Sequence, residues 1–221
     1  MSDFIEEFEA FAACPLDLVC EPAPPLLFPD SKRPVFPLLA RRRPKEDRLI
    51  VTVRHRMPLP ATSSELRLLR LVLEKHSRSF LRLYNKHNGF VLFQNSRYRC
   101  AGLKALPIRR WRGATATMRR LAGYADCPGR FDVYFGVAFA WVPRTENFLV
   151  VMPREPRMGQ IFLFKGDGAT VSKIATDFED LLRRASKNPL RLMQQTGACM
   201  GFSDERGVGW MPVRAVRKQC A

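Results

Sequence analysis

Hydrophobic and polar positions are most ordered between Gly159 and Ala185. Ile161, Phe162, Leu163 and Phe164 are apolar at consecutive positions, which predicts a strand covered on both faces. Lys165-Gly166-Asp167-Gly168 supplies turn chemistry, and Thr170 to Ile174 can return as a second strand. Thr176-x-x-Glu179 then reads as a capping box. Phe178, Leu181 and Leu182 follow at helical spacing, with Arg183 and Arg184 in the last turn, where the helix dipole favours cations. The stretch predicts a hairpin followed by a capped helix, with no catalytic group in it.

Elsewhere the pattern predicts a short helix over residues 3–12, capped by Asp3 and apolar along Phe4, Ile5, Phe8, Phe11 and Ala12. Prolines recur from Pro15 to Pro44, which forbids a continuous helix and argues against a central strand, so this part reads as an arm over the surface. Leu49 to His55 alternates as a strand does. Thr62-x-x-Glu65 is another capping box, and Leu66, Leu69, Leu73, His76, Phe80 and Leu83 recur behind it as one long helix, or two broken near Ser77 and Ser79. Asn88-Gly89 stops it, glycine tolerating the left-handed conformation of a helix end. Phe90 to Phe93 reads as a strand, Leu106-Pro107-Ile108 as extended chain, and Thr115 to Tyr124 as a helix with Met118, Leu121 and Ala122 inward. Phe131 to Val142 and Phe148 to Met152 add two or three strands, and connections this short imply antiparallel pairing. Periodicity is lost after Pro189, which predicts an irregular basic tail over 191–221.

Composition changes the picture in one respect. The 221 residues, 46% of them hydrophobic, suit an ordinary folded core, but the formal net charge is +16. Such an excess attracts nucleic acid, acidic protein or anionic lipid without naming which. The chain has no apolar run of ~18 residues to span a bilayer, and its first residues are acidic where a signal peptide is basic, so a cytoplasmic protein without membrane partners is expected. Six scattered cysteines, none in a Cys-x-x-Cys pair, predict reduced thiols.

Enzyme chemistry finds little support. His55, His76 and His87 occur in neither His-x-x-x-His nor His-Glu-x-x-His spacing, so no metal is expected. His87 with Cys100 or Cys127 matches no nucleophile signature. Gly166-x-Gly168 fails as a dinucleotide fingerprint because Val171 stands where a third small residue is needed and a strand follows instead of a helix. No phosphate-binding loop or nucleophile elbow is present. We therefore expect no catalytic residues and no cofactor. The binding candidates are the basic run Arg41, Arg42 and Arg43 and the cluster Arg109, Arg110, Trp111 and Arg112. Interleaved arginine and aromatic residues, as also in Arg97-Tyr98-Arg99, suit phosphate contact with base stacking.

The order of segments resembles the SMI1/KNR4 (SUKH) superfamily. The likeness is carried by Phe80-Leu81-Arg82-Leu83-Tyr84-Asn85-Lys86-His87-Asn88-Gly89-Phe90, Phe135 to Ala140, Phe148 to Met152, Gly159 to Phe164 and Thr176 to Leu182, within roughly residues 62–190. It departs where the family strand matching 148–152 often ends in an acidic residue and this chain has Met152-Pro153. The resemblance implies an α+β domain, an antiparallel sheet flanked by helices, without catalytic activity. Bacterial members are mostly regarded as immunity proteins that neutralise a cognate toxin. On this basis we expect a helix and Pro-rich basic arm over 1–45, a SUKH-like domain over 46–190 and the tail over 191–221. The expected function is toxin neutralisation by protein–protein binding, with an acidic partner because the charge is positive. The alternative is a nucleic-acid-associated protein.

Overall fold

The computed structural model describes residues 3–22, 48–95, 102–124, 134–143, 145–166, 170–198, 202–203 and 209–218. Helix α1 (Phe4–Ala13) starts where Asp3 accepts a hydrogen bond from the Ile5 N–H, and Phe4, Ile5, Phe8, Phe11 and Ala12 are buried, the face the pattern predicts. Strands β1 (Leu16–Pro22) and β2 (Leu49–Arg56) follow. The break in the next helical stretch falls at Glu74, which takes a positive φ of 45°. This separates α2 (Ser63–Leu73), begun by the Thr62/Glu65 capping box, from α3 (Ser77–Tyr84). Strands β3 (Phe90–Gln94) and β4 (Leu103–Ala105) lead into α4 (Ile108–Tyr124).

Strands β5 (Val137–Val142), β6 (Asn147–Val151), β7 (Ile161–Lys165) and β8 (Thr170–Ala175) form a meander, and α5 (Phe178–Lys187) and α6 (Pro189–Thr196) follow it. The short β9 (Phe202–Ser203) and the longer β10 (Gly209–Arg217) complete one ten-stranded sheet in the order β8-β7-β6-β5-β4-β3-β2-β1-β10-β9, every pair antiparallel. The expected α+β class with an antiparallel sheet and helices is what the chain adopts.

Strand β7 divides its side chains between two cores. Ile161 and Leu163 join the large cluster that holds α1, α2, α3, α5 and α6, while Phe162 and Phe164 join a smaller one under Met118 and Ala122 of α4. The large core centres on Phe80, whose ring stacks on Phe178 at 3.8 Å and meets Phe139 and Trp111 edge-on at 5.2 and 5.7 Å.

Four expectations are corrected. The proline-rich segment does not exclude a central strand: Leu16–Pro22 lies between β2 and β10, with Leu16, Leu18 and Cys20 fully buried, and only 23–47 lies outside the described residues. The tail is not irregular, since α6 and β10 both fall in it, and Leu192 and Met193 pack into the large core. The helix cap near 176 is shifted by one residue: Asp177 accepts from the Asp180 N–H at 2.8 Å, and Asp180 in turn accepts from the Thr176 N–H at 2.9 Å. Finally, Cys14 is disulfide-bonded, whereas Cys20 is a buried thiol whose Sγ donates to the Leu18 carbonyl at 3.7 Å. The other four cysteines lie outside the described residues.

Candidate functional site

Helix α4 begins seven residues earlier than its expected start at Thr115, and this reorganises the basic cluster. Successive helical residues turn by about 100°, so the four residues Arg109-Arg110-Trp111-Arg112 cannot all share one face. Trp111 points inward, 4% exposed, and its Nε1–H donates to the Leu106 carbonyl at 2.9 Å. It packs edge-on against Tyr84 and lies within aromatic contact of Phe139. Trp111 is therefore a core residue and is withdrawn as a binding residue. Arg109, Arg110 and Arg112 are exposed. Arg41, Arg42 and Arg43, like the Arg97 to Arg99 stretch, lie outside the described residues.

The start of α4 is fixed by the Asn88-Gly89 step. Asn88 Oδ1 accepts from the Ile108 N–H at 3.1 Å, and its Nδ2 donates to Glu65 at 3.0 Å. Glu65 also caps α2 and accepts from the Arg109 backbone N–H. Gly89 has a φ of +100°, and a Cβ there would sit 2.4 Å from the Ala105 carbonyl oxygen, so only glycine fits. One asparagine thus joins α2 and α4 just beyond the end of α3. We expect Asn88→Ala to cost about 1–2 kcal/mol of unfolding free energy, measured by urea denaturation, through the lost cap of α4. Stability equal to wild type would show that Asn88 does not hold the junction.

Beside this junction an open groove of 610 Å³ runs between α4 and the β5–β6 turn. Its helical wall is Arg109, Arg110, Gly113, Ala114, Thr117, Arg120 and Leu121, and its sheet wall is Trp141, Thr145, Glu146 and Phe148. The volume is that of a ligand site. Trp141 is half-buried and held in place by its Nε1–H, which donates to the Thr145 carbonyl at 3.1 Å. Among the described lining residues Glu146 is the one carboxylate, and none is a histidine or a cysteine.

The charge on this helix runs against helix electrostatics. The helix holds five arginines and no acidic residue, and three of the five stand at its start, where the dipole already carries positive charge. Arg119 is engaged, its Nε donating to the Tyr134 carbonyl at 2.7 Å. Arg109, Arg110 and Arg120 form no salt bridge among the described residues. All three are exposed, and together they give the groove a positive potential that an anionic ligand would complement.

The histidines serve structure. His87 is held at both ring nitrogens, by the Pro58 carbonyl at 3.1 Å and by Glu9 at 2.9 Å, which docks α1. His76 packs against Gly159, where a Cβ would lie 2.6 Å from its Nδ1. His55 lies between Phe11 and Phe93, at ring distances of 4.6 and 5.4 Å. No helix of the described residues is long and apolar enough to cross a membrane.

Sequence reasoning singled out Arg109 and Arg110 but missed Arg120, Trp141 and Phe148. These come from three separate segments, and only the packing of α4 on the sheet brings them together. A local signal for Arg120 did exist, since Arg119 and Arg120 fall on the outward side of the expected helix. No protein-family model matches the chain, and no curated protein does either.

Proposed function

We propose that this protein is a non-enzymatic binding domain of the SMI1/KNR4 type, acting as an immunity protein that neutralises a cognate toxin by protein–protein binding. The groove carries the binding part of this reading: Arg109, Arg110 and Arg120 stand exposed around an apolar lining, and the described lining residues include no cysteine, serine or histidine. The kind of partner follows from charge, because a surface with a net excess of +16 selects an acidic one. Helix α2, which packs against α4, leaves Leu68, Leu71 and Val72 exposed, and apolar area of this sort is suited to a protein rather than a polyphosphate.

The immunity role rests on the resemblance. Its supporting features are the Asn88-Gly89 junction and the meander of β5 to β8, where the quoted segments fall. A cytoplasmic setting belongs to the same reading, and the Cys14 disulfide stands against it, since reducing compartments rarely retain such bonds.

The test is co-expression with the product of any large open reading frame found beside the gene. We expect rescue of growth and a stoichiometric complex by size exclusion. A neighbour that is not toxic, or a toxin bound by nothing, would remove the immunity role.

The second reading, nucleic-acid association, draws on the pairing of arginines with Trp141 in the groove. It requires affinity for an oligonucleotide to fall steeply with salt, which filter binding across a salt series measures directly.

A further inference from the structure

We propose that the groove along α4 holds an extended acidic segment of a protein partner, with two carboxylate positions about four to five residues apart and an apolar residue between them. This rests on the reading of the chain as a protein-binding domain and goes on to say where the partner sits and what it presents.

The spacing comes from helix geometry. Arg109 and Arg110 line one end of the groove and Arg120 the other. Ten helical residues from Arg110 to Arg120 span about 15 Å. An extended peptide covers that distance in about four to five residues, at roughly 3.3 Å each. Between the arginines α4 presents the small, uncharged Gly113, Ala114 and Thr117, and Trp141 and Phe148 of the sheet wall add apolar lining. The site therefore reads positive, uncharged and largely apolar, positive.

Two details favour a peptide over a nucleic-acid strand. Glu146 stands on the sheet wall, where it repels a continuous phosphate backbone but can accept a hydrogen bond from a peptide N–H. The apolar stretch between the arginines also asks for a side chain without charge, which a peptide supplies and a phosphodiester backbone does not.

Gly113 adds an independent observation. It sits in the interior of α4, where glycine is a poor helix former, and a Cβ built there meets nothing within 4 Å. No close packing demands a glycine at 113. Its absent side chain instead leaves the middle of the groove open, and a larger residue would fill the groove without disturbing the core.

The experiment uses the full chain and fluorescein-labelled peptides read by anisotropy. Each peptide carries a pair of aspartates and one leucine midway between them, with the aspartates two, four, five or eight residues apart. A control has the same composition with both aspartates at one end. We expect the four- and five-residue spacings to bind at least about tenfold tighter than the others and the control. Arg110→Gln and Arg120→Gln should each weaken that binding by about three- to tenfold.

Gly113→Leu, which leaves net charge unchanged, should abolish the spacing preference while melting no lower than wild type. Equal affinity for all spacings, no binding below about 1 mM, or an unchanged preference in Gly113→Leu overturns the proposal. Tight, salt-sensitive binding of an oligothymidine strand with no peptide preference overturns it in favour of nucleic acid. Failure here is separable from failure of the wider reading. A toxin complex that forms equally well with Gly113→Leu leaves the binding domain standing and places its interface elsewhere, whereas no complex with either chain removes the binding reading itself.

Discussion

Phe80→Ala is expected to lose about 3–5 kcal/mol of unfolding free energy, the largest effect of any single truncation considered for this chain. The reason is the number of elements that meet on one ring. Phe80 belongs to α3, stacks on Phe178 of α5, and takes edge contacts from Phe139 of β5 and Trp111 of α4. It is 1% exposed, so its removal leaves a void lined by aromatic rings that cannot close around it. Urea denaturation followed by far-UV circular dichroism measures the loss. Because Trp111 is the inward anchor of α4, tryptophan fluorescence should also show a loosened helix before global unfolding. A change below about 1 kcal/mol would mean that the core is not centred here.

Acid should destabilise the protein through His55. Its Nδ1 accepts a hydrogen bond from the Phe93 N–H at 3.2 Å, so the neutral ring carries its proton on Nε2. That Nε2 is buried and has no hydrogen-bond partner among the described residues. Burial, with a smaller contribution from the Arg217 guanidinium, lowers the His55 pKa from the ordinary 6.5 to about 4. The folded state therefore binds this proton less readily than the unfolded state. Stability from this group is complete above about pH 6.5 and declines as pH falls toward 4, by up to about 3 kcal/mol over the interval. His55→Asn keeps an acceptor for the Phe93 N–H but does not titrate. Thermal melts of both proteins between pH 7.5 and 4 should show a steep fall for wild type and a shallower one for the variant, whatever their difference at neutral pH. Parallel curves would assign the acid sensitivity to other groups.

Much of the fold was legible because local signals agreed with tertiary demands. The apolar face of α1, the Thr62/Glu65 box and the doubly covered strand at 161–164 were all readable, since periodicity, cap chemistry and burial point the same way in each.

Where the reading failed, two signals competed. In Leu16–Pro22 the alternation of Leu16, Leu18 and Cys20 marks a half-buried strand, but the surrounding prolines outweighed it. Pro15 precedes the strand and Pro22 closes it, so neither removes a hydrogen bond from its middle. Pro212, within β10, is tolerated because the register shifts opposite Val19 and Cys20, and β9 pairs only with Gly209 and Trp210.

The site was half legible. Charge located α4, but a run of arginines and a tryptophan looks like one surface only until the helix is known to include it. Trp111 then turns inward and the groove takes its aromatic wall from Trp141 and Phe148, far away in sequence.

The pairing of β1 with β10 also sets the order of events during synthesis. Leu16 finds its register partner in Arg217, so β1 must wait for a strand made long after it. Until then β1 can pair along one edge only, with β2, and the long loop between β1 and β10 must close before that second pairing contributes any stability. The ribosome-bound chain is accordingly expected to remain open to chaperones and proteases around β1 until β10 has emerged and inserted.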